Sequence, residues 1–372
     1  MSRRHKSSLG FIGKTMLIAN IFAFILLLLS YLATIVNPSI FWPIAFAGLA
    51  HPLLLLINLF FIAYWLFTLK PKISCISIIA ILIGWQFVLN QIGFRESTGA
   101  ETPKTSESHI RVMTYNVHYF KKMDNINSPE VREQMLDIIR KEQPDVICFQ
   151  EFMTHNNKDI DTEKAITEIL HSENFYFLPF NRPNYEEIGL AIFSKLPIKG
   201  RGSIPFSGTS RANEAIYADI EFKNKIFRVY NVHFQSIAFQ PADYKFLKKV
   251  EDVSPDLKSS RRIGSRLKNA FIKRSQQVNL LKKHTLDCRV PFVVSGDFND
   301  TPVSYALQTM SKGLKNAFRE KGSGFGNTYN GDFPNFQIDY ILTSPDFEIK
   351  NYRIIEKKLS DHYAVRSDIE LK

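Results

Sequence analysis

The sequence predicts an α/β domain over residues 109–372, behind an apolar N-terminal part with about three transmembrane helices. Long uncharged apolar runs fill residues 1–100, whereas short β-rich runs and helical patterns alternate after residue 109. The pentapeptides YNVHY, at Tyr115–Tyr119, and YNVHF, at Tyr230–Phe234, add a second indication. Each is followed along the chain by a proline, an apolar run and a carboxylate before a phenylalanine, which indicates two similar halves.

Three uncharged runs predict the transmembrane helices, because each approaches the roughly 20 apolar residues that a membrane crossing needs. A cleaved signal peptide is the alternative for the first run, since a basic tail precedes it. The length of that run and the two runs after it favour an anchor. The runs are Thr15–Val36, a run that ends at Leu69 and starts between Ile40 and Pro52, and Ile73–Phe94.

The distribution of Lys and Arg predicts the side of the membrane. The N-terminal tail and the turn Lys70–Lys72 are basic, and positive loops stay in the cytoplasm. Three crossings then place the residues after Phe94 on the non-cytoplasmic side, as in a multi-pass protein of a bacterial plasma membrane. If the middle run only dips into the lipid bilayer, those residues are cytoplasmic. We therefore predict a membrane anchor at 1–95, a polar linker at 96–108 and a soluble domain at 109–372.

The net charge is weak evidence for a nucleic-acid partner. Residues 1–100 carry seven Lys or Arg and one acid, so they supply +6 of the formal +11. A basic block at Lys245–Lys283 is either a solvated face or a positive rim that guides a polyanion or touches anionic lipid.

Within the soluble domain, clusters of β-branched and aromatic residues predict strands. One helix is expected after Ser128, which can cap it, and ends before Pro144; a second is expected at Leu267–His284. The predicted strands are Ile110–Tyr115, Val146–Phe149, Leu190–Phe193, Ala215–Phe222, Phe227–Val232, Phe292–Val294, Ile338–Leu342 and Ala364–Leu371.

The repeated pattern predicts two β-α-β layers related by an approximate twofold axis. In the first half, the strand with Asn116 is followed by a strand that leads to Glu151. In the second half, the strand with His233 is followed by a strand that leads to Asp297. We expect these four side chains at strand ends on one rim.

Seven motifs occur in an order known from one superfamily: TYNVH, CFQEF, GLAIFSKLP, YNVHF, SGDFN, QIDYIL and SDH. Over about residues 109–371 the chain therefore resembles the endonuclease/exonuclease/phosphatase superfamily. That group includes pancreatic deoxyribonuclease, apurinic endonucleases, neutral sphingomyelinases and inositol polyphosphate 5-phosphatases. The resemblance implies a four-layer α/β/β/α sandwich of two mixed β-sheets and a hydrolase that uses Mg²⁺ or Mn²⁺.

The resemblance also implies roles for individual residues. Glu151 is similar to the family's metal ligand and Asp361 to a carboxylate on the metal side, in keeping with the oxygen ligands that hard cations take. Asp297 and Asn299 are similar to the pair that orients the attacking water and grips the phosphate. Asn116 matches an Asn near the metal.

Three histidines are distinguished by the same resemblance. His362 matches the catalytic histidine and Asp339 the Asp that pairs with it; such a partner raises the pKa of an imidazole, so we expect a cation. His233 matches a histidine that faces the phosphate in the deoxyribonuclease and sphingomyelinase branches. His118 departs from relatives that have Asp or Arg there, so its role stays open.

These observations predict a membrane-anchored, metal-dependent phosphoesterase in which water attacks phosphorus in line. A phosphodiester is the expected substrate, with nucleic acid ahead of a phospholipid head group. The alternatives are a lipid phosphodiesterase, a sugar or inositol phosphate phosphatase and, in another class, a non-catalytic membrane module that the retained carboxylates argue against. Specificity is expected in the loops Tyr119–Ser128, His155–Lys158 and Phe239–Arg261. No protein partner is predicted.

Overall fold

The chain has a helical N-terminal part followed by a two-sheet domain. A computed structural model describes residues 9–95, 104, 106–122, 126–155, 161–180, 186–206, 213–240, 242–244, 246, 257–331 and 335–372. The basic tail, most of the predicted linker 96–108, and parts of the three predicted specificity loops lie outside the described residues.

Six helices form the N-terminal part. They are α1 Phe11–Leu32, α2 Pro38–Phe41, α3 Pro43–Leu49, α4 His51–Phe67, α5 Pro71–Ile83 and α6 Trp85–Gln91. Among the described residues, α1 alone is long and apolar enough to cross a membrane as a single helix. Helices α3 and α4 meet at a bend of 60°, and α5 and α6 at 66°. The predicted three crossings are reached only if each bent pair acts as one span.

The third apolar run, Ile73–Phe94, is not one helix as its composition suggested. It bends at Gly84, where a Cβ atom would lie 2.3 Å from the hydroxyl oxygen of Tyr31, so the tyrosine ring occupies the space that a side chain would need. The last residues of the run, Ile92–Phe94, form a strand instead.

Fifteen strands are described. They are β1 Ile92–Phe94, β2 His109–Asn116, β3 Val146–His155, β4 Asn174–Phe180, β5 Glu186–Ser194, β6 Ile198–Pro205, β7 Glu214–Phe222, β8 Lys225–His233, β9 Phe292–Asp297, β10 Lys315–Asn316, β11 Ser323–Phe325, β12 Asp339–Thr343, β13 Phe347–Ile349, β14 Arg353–Ile355 and β15 Ala364–Leu371. One sheet has the order β13-β15-β2-β3-β5-β4, with β14 also paired to β15, and the other β10-β12-β9-β8-β7-β6. Strands β2 and β3 run parallel, as do β8 and β9.

Helices cover the outer faces of both sheets. Ser128 caps α7 Pro129–Glu142 as predicted, and α8 Thr162–Leu170 lies beside it. The helix predicted at Leu267–His284 is present and longer, as α9 Leu257–Leu286. It is followed by α10 Tyr305–Ser311 and α11 Ala317–Lys321.

Three clusters of buried residues fill the spaces between these layers. Val112 and Val229 belong to the cluster between the two sheets. Phe149 packs with residues of α7 and α8, and Val294 packs with residues of α9 and α10. The order helix, sheet, sheet, helix confirms the predicted four-layer α/β/β/α sandwich.

The N-terminal helices contact the two-sheet domain directly. Strand β1 pairs antiparallel with β11, and Ser39 Oγ lies 2.9 Å from Ser275 Oγ of α9. A Cβ atom at Gly48 would lie only 2.5 Å from the carbonyl oxygen of Val303, so α3 packs closely on the domain. The division into anchor and soluble domain, made from composition, gave no indication of this interface.

Candidate active site

Both sheets contribute strand ends to one site. In the second sheet, His233 pairs with Asp297 across the parallel pair β8 and β9, and Asp297 pairs with Asp339 across β9 and β12. These three side chains therefore lie side by side on neighbouring strands. In the first sheet, Asn116 at the end of β2 pairs with Gln150, the residue before Glu151. Asn116, His233 and Asp297 therefore end their strands on one rim.

A cavity of about 240 Å³ lies over this rim. Of the eight predicted site residues, only Asp339 does not line it, because it is buried behind His362. The seven that line the cavity are Asn116, Glu151, His233, Asp297, Asn299, Asp361 and His362.

Glu151 does not end its strand, as the sequence suggested, but lies inside β3. The pairing of β3 with β5 shifts between Phe149 and Phe152, which identifies a β-bulge at Gln150 and Glu151. A bulge redirects the side chain of the extra residue. The backbone of Glu151 is left-handed, with φ of 52°, a conformation that is strained for this residue type. The bulge explains how Glu151 reaches the cavity while the strand continues.

The carboxylate of Asp297 is the most highly connected group in the site. Its Oδ2 accepts hydrogen bonds from Asn116 Nδ2 at 3.1 Å and Asn299 Nδ2 at 3.0 Å, and its Oδ1 accepts from the Asn299 backbone N–H at 2.7 Å. Nε2 of His233 and Nε2 of His362 lie 3.6 and 3.7 Å from Oδ2. Burial raises the pKa of Asp297 to about 6, although the charge of His362 lowers it.

His362 and Asp339 form a buried pair behind Asp297. Nδ1 of His362 lies 3.0 Å from Oδ2 of Asp339, which leaves Nε2 directed towards Asp297. Burial lowers the pKa of His362, but the charges of Asp339 and Asp297 outweigh it and hold that pKa well above its ordinary value. Both carboxylates therefore favour the protonated imidazole.

His118, whose role the sequence left open, lies between the two predicted metal-side carboxylates. Its Nδ1 is 3.8 Å from Glu151 Oε2 and 3.6 Å from Asp361 Oδ1. Three consecutive residues with positive φ, His118 to Phe120, form the turn that holds it there. The position of His118 depends on this strained turn, for which the sequence carries no glycine signal.

The donor set on this side of the cavity fits a divalent cation. Glu151 and Asp361 are partly exposed to the cavity and supply the oxygen ligands that Mg²⁺ or Mn²⁺ takes. Nε2 of His118 and Nε2 of His233 are buried, and neither has a hydrogen-bond partner within the described part of the chain. Such unpartnered atoms are expected beside a site that binds a further group.

A second group of side chains with metal-ligand atoms is buried more deeply than Glu151 and Asp361. Single donor atoms of Asp297, Asp339 and His362 all lie within 4.8 Å of one another. Both oxygens of Asp339 already face Nδ1 of His362, at 3.0 and 3.2 Å, so this group is satisfied without a cation. The more open carboxylates of Glu151 and Asp361 fit a metal better.

The two YNVH copies place their asparagines in different roles. Asn116 bonds Asp297 in the site. Its counterpart, Asn231, is fully buried between the sheets, where its Nδ2 donates to the carbonyl oxygens of Phe149 and Ala191 at 2.8 and 2.9 Å. It also accepts from Gln150 Nε2 at 2.6 Å. This contact joins the two sheets directly below the site, and only the repeat itself indicated that Asn231 was of interest.

Residues without a motif also line the cavity. Arg274 of α9 is buried and forms an ion pair with Asp300, Nε to Oδ2 at 3.0 Å. Tyr329 stacks edge-on against His362, with ring centroids 5.4 Å apart. Leu49, from helix α3, lines the cavity as well. Arg274 belongs to the basic block Lys245–Lys283, which the sequence predicts to be either a solvated face or a positive rim. Nothing in the sequence indicated that Leu49 would line the cavity.

Comparison with known families finds two matches. The Endonuclease/Exonuclease/phosphatase family matches residues 113–362, and a Domain of unknown function (DUF8431) matches residues 13–91. A comparison with curated proteins finds no match.

Solved structures share the fold of the domain at low sequence identity. An endonuclease/exonuclease/phosphatase from Beutenbergia cavernae DSM 12333 aligns with a TM-score of 0.51 and 18% identity over 71% of this chain and 72% of that chain. The human Nocturnin catalytic domain with bound sulfate aligns at 0.51 and 17% over 73% and 96%. D. rerio TDP2 complexed with a single-strand DNA product aligns at 0.50 and 14% over 71% and 100%.

Proposed function

The chain belongs to the endonuclease/exonuclease/phosphatase family and is a hydrolase of ester bonds, and we propose that it cleaves phosphodiesters with a divalent cation while anchored in a membrane. The observation that carries this proposal is the position of Asp297. Its buried carboxylate, with a pKa near 6, faces a cavity shared by a cationic histidine, two amides and two further carboxylates. A base with a pKa near the working pH suits proton transfer from water.

The proposed roles follow from the contacts of each side chain. Asp297 takes a proton from the attacking water, and the Nδ2 groups of Asn116 and Asn299 hold its carboxylate in place. The cationic His362 stabilises negative charge that develops on the phosphoryl oxygens. Asp339 fixes the ring of His362 by accepting from Nδ1. His233, on the other side of Asp297, contacts the phosphate.

Glu151 and Asp361 would hold the cation, with His118 beside them. When bound, Mg²⁺ or Mn²⁺ polarises a phosphoryl oxygen and neutralises developing charge. The assignment of Asp361 gains support from its shared neighbour, since Nδ1 of His118 lies within 4 Å of both carboxylates.

The exterior of the N-terminal helices supports the membrane part of the proposal. Large apolar side chains of α1 and α4 face outward: Phe11 is 87% exposed, Ile18 70% and Leu56 63%. A helix that is apolar on all sides suits lipid. Inside, Asn20 bridges Ser77 and Trp65 at 2.7 and 2.9 Å, the type of polar contact that joins membrane helices.

Two packing clusters support the predicted orientation. One groups Met16 of α1 with Trp65 of α4, near the basic turn that follows α4. The other groups Tyr31 and Phe87 with Val303 of the two-sheet domain. The domain therefore contacts the end of the helices opposite to the basic turn, which is consistent with a catalytic domain on the non-cytoplasmic side.

The test uses the full chain in nanodiscs. Bis(4-nitrophenyl) phosphate should be hydrolysed faster than 4-nitrophenyl phosphate in Mg²⁺ or Mn²⁺, and EDTA should abolish both activities. Asp297→Asn, which keeps the shape of the side chain but not its basicity, should be inactive. A preference for the monoester, or activity that survives EDTA, would contradict the proposal.

A further inference from the structure

The cavity over the catalytic residues has a second, apolar wall. Leu49 of α3, Ile237 and Phe239 of the segment after β8, and Leu267 and Phe271 of α9 form this wall. It is continuous with the polar site, because the same cavity is lined by Asn116, Asp297 and His362. From this arrangement, and resting on the proposed function, we infer that the substrate is an amphiphile: a phosphodiester with an alkyl or acyl chain that lies along the apolar wall.

The apolar wall is built jointly by the N-terminal helices and the two-sheet domain. Leu49, Leu267 and Phe271 belong to one packed cluster, which also includes Ala45, Phe46, Ile237, Phe239, Phe246 and Ile263. Phe46 packs edge-on against Phe271, with ring centroids 5.3 Å apart. The close approach of Gly48 to Val303 fixes the residue before Leu49. The wall is thus a fixed part of the site.

Three arginines of α9 in the described part of the chain beside this wall are paired with carboxylates. A nucleic-acid channel follows the phosphates with free cations. Here Arg262 and Arg266 both contact the buried carboxylate of Asp243, at 2.6 and 3.2 Å, and Arg274 is paired with Asp300. These three arginines of α9 therefore share two carboxylates, which compensate two of the three positive charges. An apolar wall whose neighbouring arginines are held by carboxylates suits an alkyl chain better than a row of phosphates.

The position of the wall in the chain suggests how such a substrate arrives. Leu49 is the last residue of α3, at the bend where α3 meets α4 within the second predicted membrane crossing. A lipid in the adjacent leaflet could place its phosphodiester over Asp297 while its chain stays in contact with apolar side chains. Each methylene group that becomes buried increases the binding constant by roughly fourfold, so an alkyl chain that lies along this wall would strengthen substrate binding.

The test compares diesters that differ only in chain length. The full protein in nanodiscs is given methyl, butyl and octyl 4-nitrophenyl phosphate, and release of 4-nitrophenolate is followed, with empty discs as the reference. We expect kcat/KM to rise at least about tenfold from the methyl to the octyl ester, because several methylenes become buried. A DNA oligonucleotide is assayed in parallel.

Two variants of the apolar wall test whether the wall causes the dependence of kcat/KM on chain length. Leu49→Gln and Ile237→Gln should each bring the octyl-to-methyl ratio of kcat/KM close to one. The second variant lies outside α3 and so tests the wall even if Leu49→Gln disturbs the docking of the helices. Leu286→Gln is the matched control, because Leu286 is 74% exposed at the far end of α9, and its ratio should stay at the wild-type value.

Failure of this inference is distinct from failure of the proposed function. Equal hydrolysis of the methyl and octyl esters would overturn the inference that the substrate is an amphiphile, without affecting the proposed phosphodiesterase activity. Cleavage of DNA that is more efficient than cleavage of the octyl ester would have the same meaning. If no diester is cleaved, the proposed function fails. Calorimetry with methylphosphonate and octylphosphonate in Mg²⁺ then decides the inference by itself: tighter octyl binding that Leu49→Gln removes would support it, and equal binding would overturn it.

Discussion

Nδ1 of His362 lies 3.0 Å from Oδ2 and 3.2 Å from Oδ1 of Asp339, and both side chains are buried. The contact fixes the ring so that Nε2 points to Asp297, and it keeps the imidazole cationic. Since a cation in this position acts on charge that builds up during the reaction, we expect His362→Ala to lower kcat by on the order of 100-fold with a smaller change in KM.

The coupling between His362 and Asp339 can be tested with a double variant. Asp339→Asn should also lower kcat, because His362 loses its orienting charge, and the double variant should be little worse than His362→Ala alone. Steady-state kinetics on bis(4-nitrophenyl) phosphate measures all three, with His171→Ala, an exposed histidine of the same domain, as the control. Near-normal turnover of His362→Ala would refute the catalytic assignment of His362.

The cation should depend on Glu151. Glu151→Gln removes one ligand charge at a partly exposed position, so we expect at least about tenfold weaker Mn²⁺ binding with an unchanged fold. Calorimetric titration of Mn²⁺ into the full chain measures this without reference to activity. Glu356→Gln, at an exposed position in the same domain, should bind as the wild type does. Unaltered affinity in Glu151→Gln would rule out its role as a ligand.

The other two cavity histidines should differ in their dependence on metal. Nε2 of His233 lies 3.6 Å from Asp297 Oδ2 and 3.9 Å from Glu151 Oε1, so part of the defect of His233→Ala in kcat should persist at saturating Mg²⁺. His118 lies beside Glu151 and Asp361, so the defect of His118→Ala should diminish as Mg²⁺ is raised. Metal titrations of kcat separate the two behaviours. The same response in both variants would contradict the proposed division of roles.

A buried ion pair away from the site should control stability in acid. Burial raises the pKa of Asp368, but its hydrogen bonds to Arg111, at 2.6 and 2.8 Å, and to Asn351 outweigh this effect and hold the pKa below the ordinary value. A carboxylate with a lowered folded-state pKa stabilises the fold above its unfolded pKa of about 3.9, and that contribution disappears as pH falls through the folded-state pKa.

Asp368→Asn should therefore destabilise the protein by about 3–5 kcal/mol at pH 7, and this difference should shrink below about pH 4. Thermal unfolding of both proteins across this pH range is the measurement. Asp287→Asn, at an exposed carboxylate, should show no such pH-dependent difference. A wild-type to Asp368→Asn difference that stays constant down to pH 2 would contradict the explanation.

The proposed topology predicts which positions react with an impermeant thiol reagent. Ser106→Cys, in a background with Cys75→Ser and Cys288→Ser, should be labelled in intact spheroplasts, because Ser106 is exposed just before the first strand of the two-sheet domain. Thr68→Cys, beside the basic turn, should be labelled only after lysis. The reverse pattern would mean an even number of crossings and a cytoplasmic domain.

Much of the site could be predicted because its residues follow recognisable strands. Asn116, His233 and Asp297 end apolar strands, and parallel neighbours bring such ends together, whereas Glu151 lies inside β3. The α/β sandwich was predictable for the same reason, since periodicity and turn residues are local properties of the chain. The partnership of Asp339 with His362 came from the family resemblance, and the distance between them agrees with it.

What the sequence determined by itself is therefore the class of fold, the apolar N-terminal part and the strand ends that meet on the rim. Tertiary structure decided the bulge that turns Glu151 into the cavity, the position of His118 between two carboxylates, and the apolar wall that Leu49 completes. These features depend on contacts between segments far apart in the chain, such as Gly48 with Val303. No local pattern encodes such contacts, because they arise only when separately formed layers pack together.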